Sequence, residues 1–175
     1  MAQELRLCRE EIKIQGDALL GIHSNVAGDS YDYTDGHAWV TVETKASVFY
    51  FGLWPDGHPR VRDKREECSD VRQDMEAGVR PLVSRYYALS PTQVWRLNRF
   101  LNTPSRWVYT NTCAAWAAKL LHDVVGSNVS AIDYFLFSTP RELGYELQKL
   151  EKRNPTSQFR PHRGEVSEGT SYRSF

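Results

Sequence analysis

Two residues in this chain have both the type and the address that chemistry requires. Cys113 follows Thr110-Asn111-Thr112 and opens a nearly uninterrupted apolar run, AAWAAKLLHDVV, that stops at Gly126. A thiol becomes a nucleophile when its thiolate is stabilised. A helix N-terminus does this with its unpaired N–H groups and the positive end of its macrodipole. The competing reading is a small apolar residue at the start of a core helix, since free cysteine is among the most buried residue types. His37 weighs against that reading. It stands directly after Gly36 at the head of an alternating run, where an imidazole can reach the end of a helix packed on the sheet. There it can take the thiol proton and later give it to a leaving group. Taken alone it would be an exposed strand-end histidine; together the two residues specify nucleophilic catalysis.

The elements around them follow from pattern and punctuation. Residues 11–24 read as one or two short strands broken at Gly16-Asp17, and NVAGDSYDYTDG has the composition of a surface loop ending at Gly36. HAWVTVET alternates with a period of two, and SVFYFGLW forms a second strand, with Lys45-Ala46 short enough for a hairpin. Residues 55–80 are highly charged and read as a long excursion with an exposed helical turn or two. VSRYYAL at 83–89 is a third strand of this sheet.

Ser90-Pro91-Thr92-Gln93 is a capping box with proline at the first helical position, predicting a helix from Pro91 to Leu101. Residues 110–126 make a helix apolar nearly all round, hence buried, with Asn111 or Thr112 as cap and Gly126 as stop. Thr139-Pro140-Arg141-Glu142 starts a last helix reaching Lys152, and residues 153–175 read as a polar tail, mobile or laid on the surface. One domain over residues 1–152 is expected, with no internal repeat.

Composition excludes several classes. Lys+Arg and Asp+Glu both number 22, so the formal net charge is zero, which argues against a general nucleic-acid binder while leaving room for a local patch. Hydrophobic residues at 41% and aromatics at 12% are too many for a disordered chain. No stretch has the roughly 18 apolar residues of a membrane span. MAQELRLCREEIKIQGD lacks the apolar region of a Sec leader, so synthesis in the cytoplasm is expected. Metal spacings such as CxxC, HxH and HExxH are absent, as are phosphate-binding glycine loops, and no cofactor is expected. Cys8, Cys68 and Cys113 make an odd set without a tight pair, which speaks against a disulfide framework. Cys8 and Cys68, in charged surroundings, read as bystanders.

The order Gly36-His37-Ala38-Trp39-Val40 on a strand, then Asn111-Thr112-Cys113 opening an Ala-rich helix, resembles the circularly permuted branch of the NlpC-type papain-like cysteine hydrolases. There, as in the lecithin retinol acyltransferase group, the histidine strand precedes the cysteine helix. The resemblance covers residues 18–150. It implies an α+β papain-like fold, an antiparallel sheet packed on a central helix, with Cys113 as nucleophile and His37 as base. Several such enzymes are bacterial toxins exported without a Sec signal, including type VI secretion effectors. A leaderless route into a target cell's periplasm is compatible with this chain, and so is an ordinary cytosolic life.

In that family the residue orienting the imidazole is polar and lies on the strand after the histidine strand. Here that strand holds only Ser47 and Tyr50 as polar groups, with Asp56 and His58 just past its end. His58 is the first choice and Asp56 the second; a dyad completed by a backbone group or water is the third. The oxyanion hole is expected from the Cys113 N–H and a neighbour.

Of the five tryptophans, Trp39 is expected near the site as a substrate-binding residue, because it is two residues from His37 on the same face. His23 is more simply structural, and His122 is too far along the helix to pair with Cys113. The resulting expectation is a cysteine peptidase or amidase acting on a peptide, with peptidoglycan stem peptides as first substrate. Proteolysis, deamidation, acyl transfer and a non-catalytic binding module stand as alternatives. If the chain is a toxin, its producer needs an immunity protein, and the 55–80 excursion is a plausible contact for it.

Overall fold

The computed structural model describes residues 4–27, 36–132 and 136–156. In chain order its elements are β1 (Ala18–Ser24), β2 (Ala38–Glu43), β3 (Val48–Leu53), β4 (Val71–Gln73), β5 (Val83–Leu89), α1 (Pro91–Leu101), α2 (Cys113–Val125) and α3 (Pro140–Arg153). The architecture is α+β, as expected. The strands form one antiparallel five-stranded sheet in the order β4-β3-β2-β1-β5.

Register decides what each sheet face carries. Leu20 pairs with Val42, Ile22 with Val40 and Val40 with Phe51, which puts one apolar set on a single face. That set joins Leu97 and Leu101 of α1, Trp116, Ala117, Leu120 and Leu121 of α2, and Leu143 and Leu147 of α3 in one core. Ala114 and Ala117, fully buried, let α2 lie close against β2 and β3. Truncating any of these leucines to alanine would cost about 2–5 kcal/mol. The opposite face carries Gly21, His23, Trp39, Thr41 and Gly52, by the pairings His23 to Trp39, Gly21 to Thr41 and Trp39 to Gly52.

The helix signals act as read. Ser90 and Gln93 make a reciprocal capping box on α1. Thr112 caps α2 by accepting from the Ala115 N–H, and Gly126 ends it at φ 74°. Thr139 caps α3 through the Glu142 N–H.

Three expectations need correction. Residues 11–17 do not join the sheet. The backbone N–H and C=O of Ile12 pair with the Asn102 side chain, and those of Ile14 with Asn98, so two amides one helical turn apart take the place of a neighbouring strand. The 55–80 excursion carries an edge strand, β4, and turns rather than an exposed helix. Cys8 and Cys68 are not bystanders: they form a disulfide, placed by a parallel bridge between Arg6 and Cys68. Cys113 is the remaining, free cysteine.

The tail expectation falls mostly on residues 157–175, outside the described residues, as does most of the loop before Gly36. Thr156 is buried, donating to Glu151 and accepting from the Tyr86 N–H. No helix among the described residues is long and apolar enough to cross a membrane.

Candidate active site

Cys113 is the first residue of α2 and His37 immediately precedes β2, so the packing of α2 on β2 brings thiol and imidazole together. Gly36 makes the approach to His37 possible. Its φ is 99°, and a Cβ there would lie 2.3 Å from a Val26 methyl. Asn25 then fixes the backbone of His37 from both sides. Its side-chain oxygen accepts from the His37 N–H at 2.6 Å, and its own N–H donates to the His37 carbonyl at 3.2 Å. On the other side, the Thr112 hydroxyl donates to the Ser138 carbonyl while capping α2, which ties the helix start to the segment leading into α3.

Both groups are buried, Cys113 being 7% exposed and His37 4%. The imidazole hydrogen-bonds to the Cys113 sulfur and, through Nε2–H, donates to Glu76 Oε1 at 2.8 Å. The same carboxylate oxygen accepts from Trp54 Nε1–H at 2.5 Å. Trp54 also lies against the imidazole, with ring centroids 4.0 Å apart. The histidine is therefore held at one nitrogen, across one ring face and along its backbone.

Electrostatics favour a thiolate–imidazolium pair. Burial alone lowers the His37 pKa, but the charge and hydrogen bond of Cys113, then those of Glu76, outweigh it and raise the value from the ordinary 6.5 to about 9. For Cys113, burial pushes the thiol up. The imidazolium charge and hydrogen bond, with the N–H groups of Ala38 and Ala114, more than reverse this and hold it below the ordinary thiol value. The Cys113 N–H, in the first turn of α2, has no acceptor within its own helix.

Glu76 is the residue that sequence reasoning missed. It is completely buried, on a segment folded back by turns from Asp74 to Ala77 and from Glu76 to Val79. Space for it comes from Gly52 of β3, whose absent Cβ would stand 1.9 Å from Glu76 Oε1 and 2.8 Å from His37 Nε2. Gly52 sits on the strand after the histidine strand, where the resemblance places the orienting residue. The carboxylate arrives there from another part of the chain. A glycine within the apolar run SVFYFGLW was the available signal, since glycine inside a strand often marks a close approach.

The other expected site residues lie nearby in different roles. His58 does not bond the His37 imidazole. It packs edge-on against Trp54 at 4.7 Å, and its Nδ1 accepts from the Arg60 N–H. Asp56 is paired with Arg72 at 2.5 Å, and that arginine is also 3.7 Å from Asp70. The second choice for orienting the imidazole is thus committed to anchoring β4. Trp39 does adjoin His37, its ring parallel at 6.0 Å, but it is stacked on its other side by His23 and is only 1% exposed. It offers a ligand no surface and acts as a wall for the imidazole. His23 is a satisfied core histidine, bonded to Ser84 and Thr41. His122 is exposed near the far end of α2, bonded to Asn128.

No protein-family model, no curated protein and no solved structure matches this chain.

Proposed function

We propose that the protein is a papain-like cysteine hydrolase that cleaves an amide bond through an acyl-enzyme on Cys113. The observation that carries this reading is the continuous array of Cys113 sulfur, His37 imidazole and Glu76 carboxylate at the start of a buried helix. In this mechanism the Cys113 thiolate attacks the carbonyl carbon, and the oxyanion is received by N–H groups at the head of α2. Protonated His37 gives its proton to the departing amine as the C–N bond breaks. Neutral His37 then takes a proton from water, the hydroxide attacks the thioester, and the released acid restores the thiolate–imidazolium pair. Glu76 touches none of the reacting atoms. It holds the ring and stabilises its charged form, as a positioning residue.

The substrate class to test first is the peptidoglycan stem peptide, which the resemblance to permuted NlpC-type hydrolases implies, with an antibacterial effector role and an immunity protein as its corollaries. The Cys8–Cys68 disulfide supports an oxidising place of work, which a periplasm provides. The test directs wild type, Cys113→Ala and His37→Ala separately to the cytosol and the periplasm of a sensitive bacterium, with circular dichroism of each purified protein as folding control. Periplasm-restricted lysis by wild type alone, with cleaved stem peptides visible by mass spectrometry, is expected. Equal behaviour of the three folded proteins overturns the reading.

A further inference from the structure

The Cys8–Cys68 disulfide borders the point where the two halves of the site are tied together. Between β3 and β4 the chain makes turns and an isolated bridge at Cys68, so its course depends on the contacts of residues 68–70. Toward the thiol, the Asp70 N–H donates to the Ser105 carbonyl at 2.7 Å, and the Asp70 carboxylate accepts from the Trp107 N–H at 2.7 Å. Ser69 Oγ accepts from the Ser105 N–H at 3.0 Å. Ser105 Oγ in turn accepts from the side-chain amide of Asn111, which adjoins the cap of α2 two residues before Cys113. Toward the imidazole, the Asp70 carbonyl accepts from the Trp54 N–H at 3.0 Å, and Trp54 both covers the His37 ring and donates to Glu76. Asp70, only 4% exposed, is thus bonded to both halves.

The N-terminal segment holds residues 68–70 from outside. The Arg6 N–H donates to the Glu67 carbonyl at 2.8 Å, and the Arg6 carbonyl accepts from the Ser69 N–H at 2.6 Å, beside the disulfide. That segment is itself fixed to α1, where Arg9 donates to the Leu101 carbonyl and the amides of Asn102 and Asn98 pair with Ile12 and Ile14. The covalent bond joins this anchored stretch to Cys68. Without it, two backbone hydrogen bonds of the exposed Arg6 remain to do the same task. Cys8 is the exposed half of the disulfide and Cys68 the buried half, so an external thiolate meets the Cys8 sulfur. Cys113 is a separate thiol, buried and bonded to His37.

We propose that the Cys8–Cys68 disulfide is a redox switch for the Cys113–His37 pair. Oxidised, it fixes residues 68–70 and through them the separation of thiol and imidazole. Reduced, it frees them, and the pair loses its alignment while the sheet and helices persist. The reductant is a dithiol. Its thiolate attacks the exposed Cys8 sulfur, and the S–S bond breaks with Cys68 leaving as a thiolate that takes up a proton. The second thiol of the reductant then displaces Cys8 from the mixed disulfide, so the protein gains two electrons and two protons and the dithiol becomes a disulfide. Such a protein is idle among reducing dithiols and poised where disulfides form. That the switch governs hydrolysis rests on the hydrolase reading, whereas its control of Cys113 reactivity does not.

The test follows alkylation of Cys113 by iodoacetamide at about pH 6, where an ordinary thiol is almost wholly protonated. Wild type is first equilibrated in mixtures of reduced and oxidised dithiothreitol and freed of them, and the Cys113 peptide is then quantified by mass spectrometry. The oxidised protein is expected to react about tenfold faster than the reduced one, because alignment with the imidazolium preserves a thiolate at that pH. Cys8→Ser/Cys68→Ser should match the reduced rate in every mixture, and far-UV circular dichroism of wild type should be unchanged on reduction. Equal Cys113 rates in the two states, a redox response that survives in the double variant, or loss of the far-UV spectrum on reduction overturns the proposal, the last because the bond would then be a staple for the whole fold. Cleavage of stem peptides is followed in the same mixtures to separate the two ideas. Redox-dependent alkylation with no amide cleaved refutes the hydrolase and leaves the switch standing, whereas cleavage that ignores the redox buffer does the reverse.

Discussion

Glu76 reaches His37 across the bare Cα of Gly52, and the hydrogen bond that fixes the imidazole occupies the volume a side chain would take. A single methyl group is enough to test that relationship. Gly52→Ala would place a carbon 1.9 Å from Glu76 Oε1, so the carboxylate must leave its place beside Nε2. Turnover is expected to fall about 100-fold through misorientation of the imidazole, while overpacking costs about 1–3 kcal/mol of stability. Paired measurement of kcat and the thermal midpoint checks this. A stable Gly52→Ala protein with full activity would remove Glu76 from the positioning role.

The titration of His37 separates its two partners. Its pKa of about 9 reflects burial, which lowers it, outweighed first by Cys113 and then by Glu76. In Cys113→Ala the larger raising influence is gone, so the value should drop well below 9. Glu76→Gln keeps an oxygen able to accept from Nε2–H but removes the charge, and should produce the smaller drop. The sign for stability follows from linkage. A pKa raised on folding gives stability that is fully present below the unfolded value of 6.5 and is lost as pH rises through about 9. NMR titration of the imidazole and melting curves between those limits read both effects. An imidazole pKa that is the same in wild type and Cys113→Ala would contradict the ion pair.

Cys113 and His37 were legible as a candidate pair because each stands at a boundary that local chemistry marks: a capped helix start for Cys113, and a glycine-to-strand junction for His37. Four of the five strands and the three helices were legible for the same reason, since alternation, Ser90, Thr139 and Gly126 act within a few residues of themselves. Glu76 was not. It is one of several carboxylates between Asp56 and Glu76, and nothing within that stretch tells which one folds inward. Its burial is decided by Gly52 and Trp54, more than twenty residues earlier. The disulfide was hidden in the same way, because the partners are 60 residues apart and are brought together by the bridge between Arg6 and Cys68. Residues 11–17 show a third route, where side-chain amides of α1 satisfy a backbone that pattern alone assigns to a strand.

The Cys8–Cys68 bond joins the N-terminal segment to the excursion that delivers β4 and Glu76. Cys8 is exposed and holds a left-handed backbone at φ 54°, whereas Cys68 is buried. Closing a loop of this length is worth about 4 kcal/mol in the chain-entropy account. Cys8→Ser/Cys68→Ser, or reduction of the wild type, should therefore lower the thermal midpoint clearly. Thiol titration gives an independent check: one reactive thiol in the denatured, unreduced protein, and three after reduction. Three before reduction would show that the bond does not form.

Trp54 contributes to the site through two separable properties, its ring against His37 and its N–H toward Glu76. Trp54→Phe keeps an aromatic wall and deletes the donor. The carboxylate is completely buried, so loss of one of its two donors leaves acceptor capacity unmet, at a cost of about 1–3 kcal/mol. With the carboxylate less firmly held, the imidazole gains freedom, and turnover should fall about tenfold with KM nearly unchanged, since Trp54 is only 2% exposed and offers a substrate little contact. Trp54→Ala removes the wall as well and should be worse in both stability and kcat. Steady-state kinetics of the two variants beside their melting curves distinguish the roles. A Trp54→Phe protein that loses substrate affinity while keeping kcat would place the indole in the binding surface instead of behind the imidazole.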